Sequence, residues 1–137
     1  MTDVKHARMM LDLARQDLQA LCHMSDPSDF GESIFGFHAQ QATEKTVKAW
    51  LSTVGLSYPR THDLAALFAL LEKSGTRVPK RFRLLMDLND FAVAFRYSFD
   101  SALEDALDRQ EVARQVTDFV EYVASTLSET EENHGTL

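Results

Sequence analysis

The chain has 137 residues, a net charge of −7 and a single cysteine. That points to one domain able to bury a core without disulfides or a Cys-based zinc site. No run approaches the ~20 apolar residues that cross a bilayer, and the opening MTDVKHARMM lacks the layout of a signal peptide, so a reducing cytoplasm is the expected setting.

Alternation with a period of two is nowhere sustained, whereas apolar stripes at helical spacing recur. The first helix is expected from about Asp3 to His23, with Ala7, Met10, Leu11, Ala14, Leu18 and Leu21 facing inward. Cys22, near its end, is expected as a small buried apolar side chain. Pro27 in SDPSD breaks this helix. The second helix should open with Asp29 as N-cap and Glu32 as its capping-box partner, and close near Gly55 through a left-handed cap. SYPRT is a turn. A short third helix, HDLAALFALLEK, follows with Thr61 in front and Gly75 behind. Pro79 suits the first turn of a fourth helix whose inner face is Leu84, Leu88, Phe91 and Phe95. Asp108 and Glu111 form a second capping box, opening a fifth helix with Val112, Val116, Phe119, Val123 and Leu127 inward. The fold class is therefore all-α: an up-and-down bundle of four longer helices plus one short helix. A single domain is expected over residues 1–128, followed by an acidic, disordered tail over 129–137.

Charge is unevenly spread. From Asp100 onward ten acidic residues face Arg109 and Arg114, a balance of −8 that leaves the rest of the chain at +1. Such a field repels phosphates and argues against general DNA or RNA binding. Lys73, Arg77, Lys80, Arg81 and Arg83 nevertheless form a local basic run, for which a solvated surface is the simplest account.

Two stretches carry chemistry. In FHAQQATEKTVKAWL, Gln41, Glu44 and Lys48 fall on one stripe, and Phe35, Ala39, Ala42, Ala49 and Trp50 on another. The helix thus has a buried face and a hydrogen-bonding face, with Glu44 and Lys48 as an acid-before-base i,i+4 pair. In FAVAFRYSFD, Arg96 sits among Phe91, Phe95, Tyr97 and Phe99, where a guanidinium calls for a carboxylate or phosphate partner. Glu44 is the proposed carboxylate, with Asp100 as its rival; capping of its own helix by Arg96 is the alternative. A di-iron centre would need paired Glu-x-x-His motifs on two helices, which the chain lacks. A glycine-rich phosphate loop and a His-Glu-x-x-His motif are also lacking, so no metal and no cofactor are expected.

FHAQQATEKTVKAWL, then THDLAALF after a short turn, then FRYSFD resemble, in that order, the HEPN domain family. The resemblance runs from about Val4 to Leu127. It implies a helical bundle that often forms homodimers and is commonly encoded beside a minimal nucleotidyltransferase, sometimes as a toxin–antitoxin pair. Ribonuclease-active members carry an arginine and, with four to six residues between them, a histidine. Here the positions after Arg96 hold Ser101, Ala102 and Leu103, so the imidazole that would titrate near neutrality is missing. The chain instead resembles the branch with Arg-Tyr at this point. The resemblance implies a non-catalytic module in which Arg96 and Lys48 face a nucleotide phosphate or a partner carboxylate. Gln41 and Glu44 would orient Arg96, Tyr97 would offer a stacking face, and His62 and Asp63 would border the site. A divergent metal-independent ribonuclease and a purely structural dimerisation bundle are the alternatives.

Overall fold

The computed structural model describes residues 3–91 and 108–135, and among these every regular element is helical. Helix α1 (Val4–Cys22) starts at Asp3, whose carboxylate accepts the His6 amide at 3.0 Å, as an N-cap should. Its inner face is Ala7, Leu11, Ala14 and Leu21, with Met10 and Leu18 half-buried against the core. Cys22 is exposed, contrary to the sequence expectation. It follows the buried Leu21 by one position, and ~100° of rotation per residue carries it off the inner face.

Helix α2 (Glu32–Thr53) does not start where the capping-box pattern places it. Its N-cap is Gly31, not Asp29. Asp26 takes the earlier turn for itself: its carboxylate accepts the Ser28 amide at 2.9 Å and hydroxyl at 2.7 Å, and its carbonyl accepts the Asp29 and Phe30 amides. This closed Asx turn holds Asp29 outside the helix. The far end is as expected. Gly55 has φ 83°, its amide bonds Ser52 O, and Leu56 N bonds Leu51 O, the double closure of a Schellman cap.

Helix α3 (Leu64–Lys73) is capped by Asp63, which accepts the Ala65 and Ala66 amides. Thr61, expected in that role, instead accepts the Asp63 amide. Gly75, with φ 95°, closes α3 through the same double bond pattern.

The fourth element departs most from a regular α-helix. One α turn, α4 (Lys80–Arg83), leads into a 3₁₀ helix (Leu84–Phe91). A 3₁₀ helix has three residues per turn, so its inner stripe repeats at i+3. Phe82, Leu85 and Leu88 are buried and Phe91 packs on the core, while Leu84 is 59% exposed. Of the stripe read at 3.6 residues per turn, Leu88 and Phe91 face the core as expected and Leu84 does not. Phe95, its last member, lies outside the described residues.

Helix α5 (Arg109–Gly135) opens with Asp108 accepting the Glu111 amide at 3.2 Å. The Glu111 carboxylate turns to Arg114 and Gln115. Val116, Phe119, Val123 and Leu127 are buried as expected, and Val112 half-buried. The helix runs past Ser128 to Gly135, where the composition predicts a frayed tail, and Glu131 pairs with Arg8 of α1. Both partners of that pair are substantially exposed, which limits it to a few tenths of a kcal/mol. Deleting residues 129–137 should accordingly lower the melting temperature by only a few degrees, about 1 kcal/mol for a domain of this size. A larger loss in a calorimetric scan would mean that this last stretch docks more tightly than the Arg8–Glu131 pair accounts for.

Helix α2 lies at the centre, packed by α1, α5, α3 and the 3₁₀ helix. At Gly36 a Cβ would collide with the Phe91 ring. Gly36→Ala should gain ~1 kcal/mol of helix propensity but lose ~1–3 kcal/mol to overpacking. Net destabilisation in urea unfolding is the expected result, largely relieved in a Phe91→Leu background. If Gly36→Ala is stabilising, the ring does not rest on this helix. Among the described residues no helix is long and apolar enough to cross a membrane.

Candidate functional site

The polar stripe of α2 is buried, unlike the solvated face that an i,i+4 ion pair normally implies. Gln40 is fully buried, and the Glu44 side chain is 4% and Lys48 12% exposed. Glu44 Oε2 accepts Lys48 Nζ at 3.0 Å. Glu44 Oε1 accepts Gln40 Nε2 at 3.1 Å and lies 2.9 Å from His62 Nδ1. Since a carboxylate offers only lone pairs, His62 Nδ1 is the donor in that contact, and its Nε2 is left without a role in it. Gln40 Nε2 also donates to the His62 carbonyl at 3.0 Å, and Gln40 Oε1 accepts from Gln41 Nε2 at 2.8 Å. Among the described residues no buried side-chain polar atom lacks a partner. The carboxylate is thus held in a closed set of donors, the condition for keeping a charge in a core.

The start of α3 completes the site. The His62 ring is 69% exposed although its Nδ1 is anchored on a buried oxygen. Beside it Asp63 accepts from Asn89 Nδ2 at 2.9 Å, and Asn89 Oδ1 accepts the Leu64 amide at 2.9 Å. The 3₁₀ helix is thereby tied to the first turn of α3. On the other side Lys48 Nζ sits 5.4 Å from the Tyr58 ring centroid, within cation–π range. The Tyr58 hydroxyl and His6 Nε2 share a 2.6 Å hydrogen bond. Burial, reinforced by the Glu44 and Asp3 carboxylates, pushes the Tyr58 phenol above its ordinary pKa. A row of contacting side chains therefore runs from His62 through Glu44, Lys48 and Tyr58 to His6.

Of the sequence-based candidates, the structure joins Gln41, Glu44, Lys48 and His62 in one network, with Asp63 next to it. Arg96, Tyr97 and Asp100 lie outside the described residues, and so does the Glu44–Arg96 pair. Lys48 is not a free ammonium facing outward, because it is spent on Glu44 and Tyr58. Four participants were missed: Gln40, Tyr58, His6 and Asn89. Gln40 was within reach, since Gln40, Glu44 and Lys48 are the strict i,i+4 series whereas Gln41 stands one residue off it. Tyr58 and His6 meet only through the turn after α2, for which no periodic signal exists.

The remaining polar groups of the same stretch point elsewhere. Lys45 Nζ and His38 Nδ1 both reach Asp17 of α1, at 2.5 and 3.0 Å, a clasp between α1 and α2. Among the described residues no group of three metal-binding side chains converges.

Comparison with known proteins bears on which bundle this is. No curated protein and no solved structure matches the chain. The family model for the HEPN domain matches residues 7–129, a span that takes in α1 from Ala7 onward, the buried polar stripe of α2, α3, α4 and α5 through the buried Leu127. The chain belongs to the HEPN domain family.

Proposed function

We propose that the chain acts as a non-catalytic HEPN module, a homodimer that serves as the nucleotide-binding or partner subunit of a minimal nucleotidyltransferase, in a cytoplasmic setting that would suit a toxin–antitoxin pair. The observation that supports this reading is the Gln40–Glu44–Lys48–His62 network. It fixes a polar edge at the junction of α2 and α3, three of its members on α2 and the fourth, His62, held just before the α3 N-cap by its hydrogen bonds to Glu44 and Gln40, the preorganisation a recognition site needs. In this reading Arg96 supplies the anion-binding charge, because Lys48 is committed to Glu44. Tyr97 and Asp100 flank it, and Gln41, His62 and Asp63 form the rim. Titration calorimetry with ATP, and with a co-expressed minimal nucleotidyltransferase, should show binding that Arg96→Ala abolishes. Light scattering at micromolar concentration should return a dimer mass. Binding of neither, or a clean monomer, would sink the reading.

One observation favours a second reading, a divergent metal-independent ribonuclease. His62 is exposed, anchored through Nδ1 on a buried carboxylate, and so oriented as an acid–base imidazole would be. Cleavage of a labelled single-stranded RNA that vanished in both His62→Gln and Arg96→Ala would establish it; no cleavage is the expected outcome.

A further inference from the structure

Exposed arginines on α1 and α5 are matched by acids. Arg8 pairs with Glu131, Arg15 with Glu121, and Arg114 with both Glu111 and Asp118. The corner between α3 and α4 breaks this rule. From Lys73 to Arg83 there are five basic residues and no acidic one, all five exposed. Arg83 is neutralised by Glu72 at 2.7 Å; Lys73, Arg77, Lys80 and Arg81 have no carboxylate partner among the described residues. In a chain of net charge −7, an unmatched cationic cluster is not the interleaved surface that solvation alone favours.

The cluster borders a seam of mixed character. Leu84 projects from the first position of the 3₁₀ helix, 59% exposed. Beside it lies a cleft of about 220 Å³ lined by Arg81, Phe82 and, from α5, Arg114 with the two acids it neutralises, Glu111 and Asp118. A second cleft of about 240 Å³ is lined by Leu85, Leu88 and Val112, with Asp87 at its edge. Leu84 and Gln115 line both. Arg81 is held in place at this border, its guanidinium 4.4 Å from the Phe82 ring centroid and 5.8 Å from that of Tyr122, which lowers the cost of ordering it against a partner.

We propose that this corner docks an acidic protein segment, its carboxylates on Lys80 and Arg81 and an apolar side chain beside Leu84 in the seam between the 3₁₀ helix and α5. A nucleic acid fits less well, because the Phe82 ring is 1% exposed beneath Arg81 and the Tyr122 ring beside it is half-buried, so among the described residues no ring at the cluster offers an open face on which a base could stack. The exposed Leu84, flanked by cations with no carboxylate partner among the described residues, instead has the form of a protein interface with a hydrophobic centre and a charged rim. This surface is separate from the Glu44 network, and the proposal stands whether or not a nucleotidyltransferase is the partner.

The test uses the full chain and a fluorescent synthetic peptide of alternating glutamate and leucine, read by anisotropy. Binding should weaken about tenfold in Lys80→Glu/Arg81→Glu and to a similar degree between low and high salt. Leu84→Ser should weaken it as well, and a peptide with lysine in place of glutamate should not bind. Circular dichroism checks that each variant is folded; should the double variant unfold, Lys80→Gln and Arg81→Gln singly are expected to weaken binding in the same direction. The proposal is overturned if the wild-type chain does not bind the peptide, or if binding is unchanged in the charge variants. It is equally overturned if oligothymidylate binds more tightly with the same dependence on Lys80 and Arg81.

Discussion

Glu44→Gln should destabilise the fold by about 3 kcal/mol or more, the range for removing one partner of a buried ion pair. The substitution keeps the side-chain volume, so the loss isolates the charge. Lys48, 12% exposed, would be left without its counter-ion, and the new amide would present donors where Gln40, His62 and Lys48 already donate. An exposed i,i+4 pair would lose less than ~1 kcal/mol, so urea unfolding separates the two cases by a wide margin. The double variant Glu44→Gln/Lys48→Met should recover much of the loss, because no orphaned ammonium remains. A single-variant loss below ~1 kcal/mol would show that the stripe is solvated in solution.

Phe119→Ala should cost about 3–5 kcal/mol, a drop of roughly 10–20 °C in melting temperature. Phe119 is fully buried, and its ring lies 6.0 Å from Trp50 of α2, 5.7 Å from Phe68 of α3 and 4.8 Å from Phe82 of α4. One truncation therefore opens a cavity between four helices and removes three aromatic pairs, each worth ~0.5–1.5 kcal/mol beyond its buried area. Phe119→Leu fills most of that space and should recover about half the loss by the same cavity argument. Equal stability of Phe119→Ala and wild type in thermal melts would mean that the four helices do not meet at this ring.

What could be read from the sequence follows from which forces are local. The inner face of α1, the ends of α2 and α3 at Gly55 and Gly75, and the cap at Asp108 depend on neighbours within one turn, and the residue pattern encodes them directly. The start of α2 was misplaced because Asp26 and Asp29 compete for nearly the same backbone, and the turn around Asp26 prevails. In the fourth element Leu88 and Phe91 are legible as core but Leu84 is not, because a spacing of 3.6 residues per turn does not hold where the chain runs at three. For the site, Gln41, Glu44, Lys48 and His62 were named, but the burial of the stripe was not foreseen. A polar residue at helical spacing reads as solvent-facing unless one knows that α3 and the turn after α2 fold over it. Gln40, Tyr58 and His6 entered by tertiary packing alone.

The central place of α2 has a consequence for measurement. With α1, α3, α5 and the 3₁₀ helix all against it, its middle amides have no local route to water. A segment so enclosed exchanges its hydrogens only when the whole domain opens. The slowest deuterium uptake should therefore fall between Ala39 and Leu51, at a rate that reports the population of fully unfolded chains, so this one helix can serve as an internal gauge of global stability under native conditions.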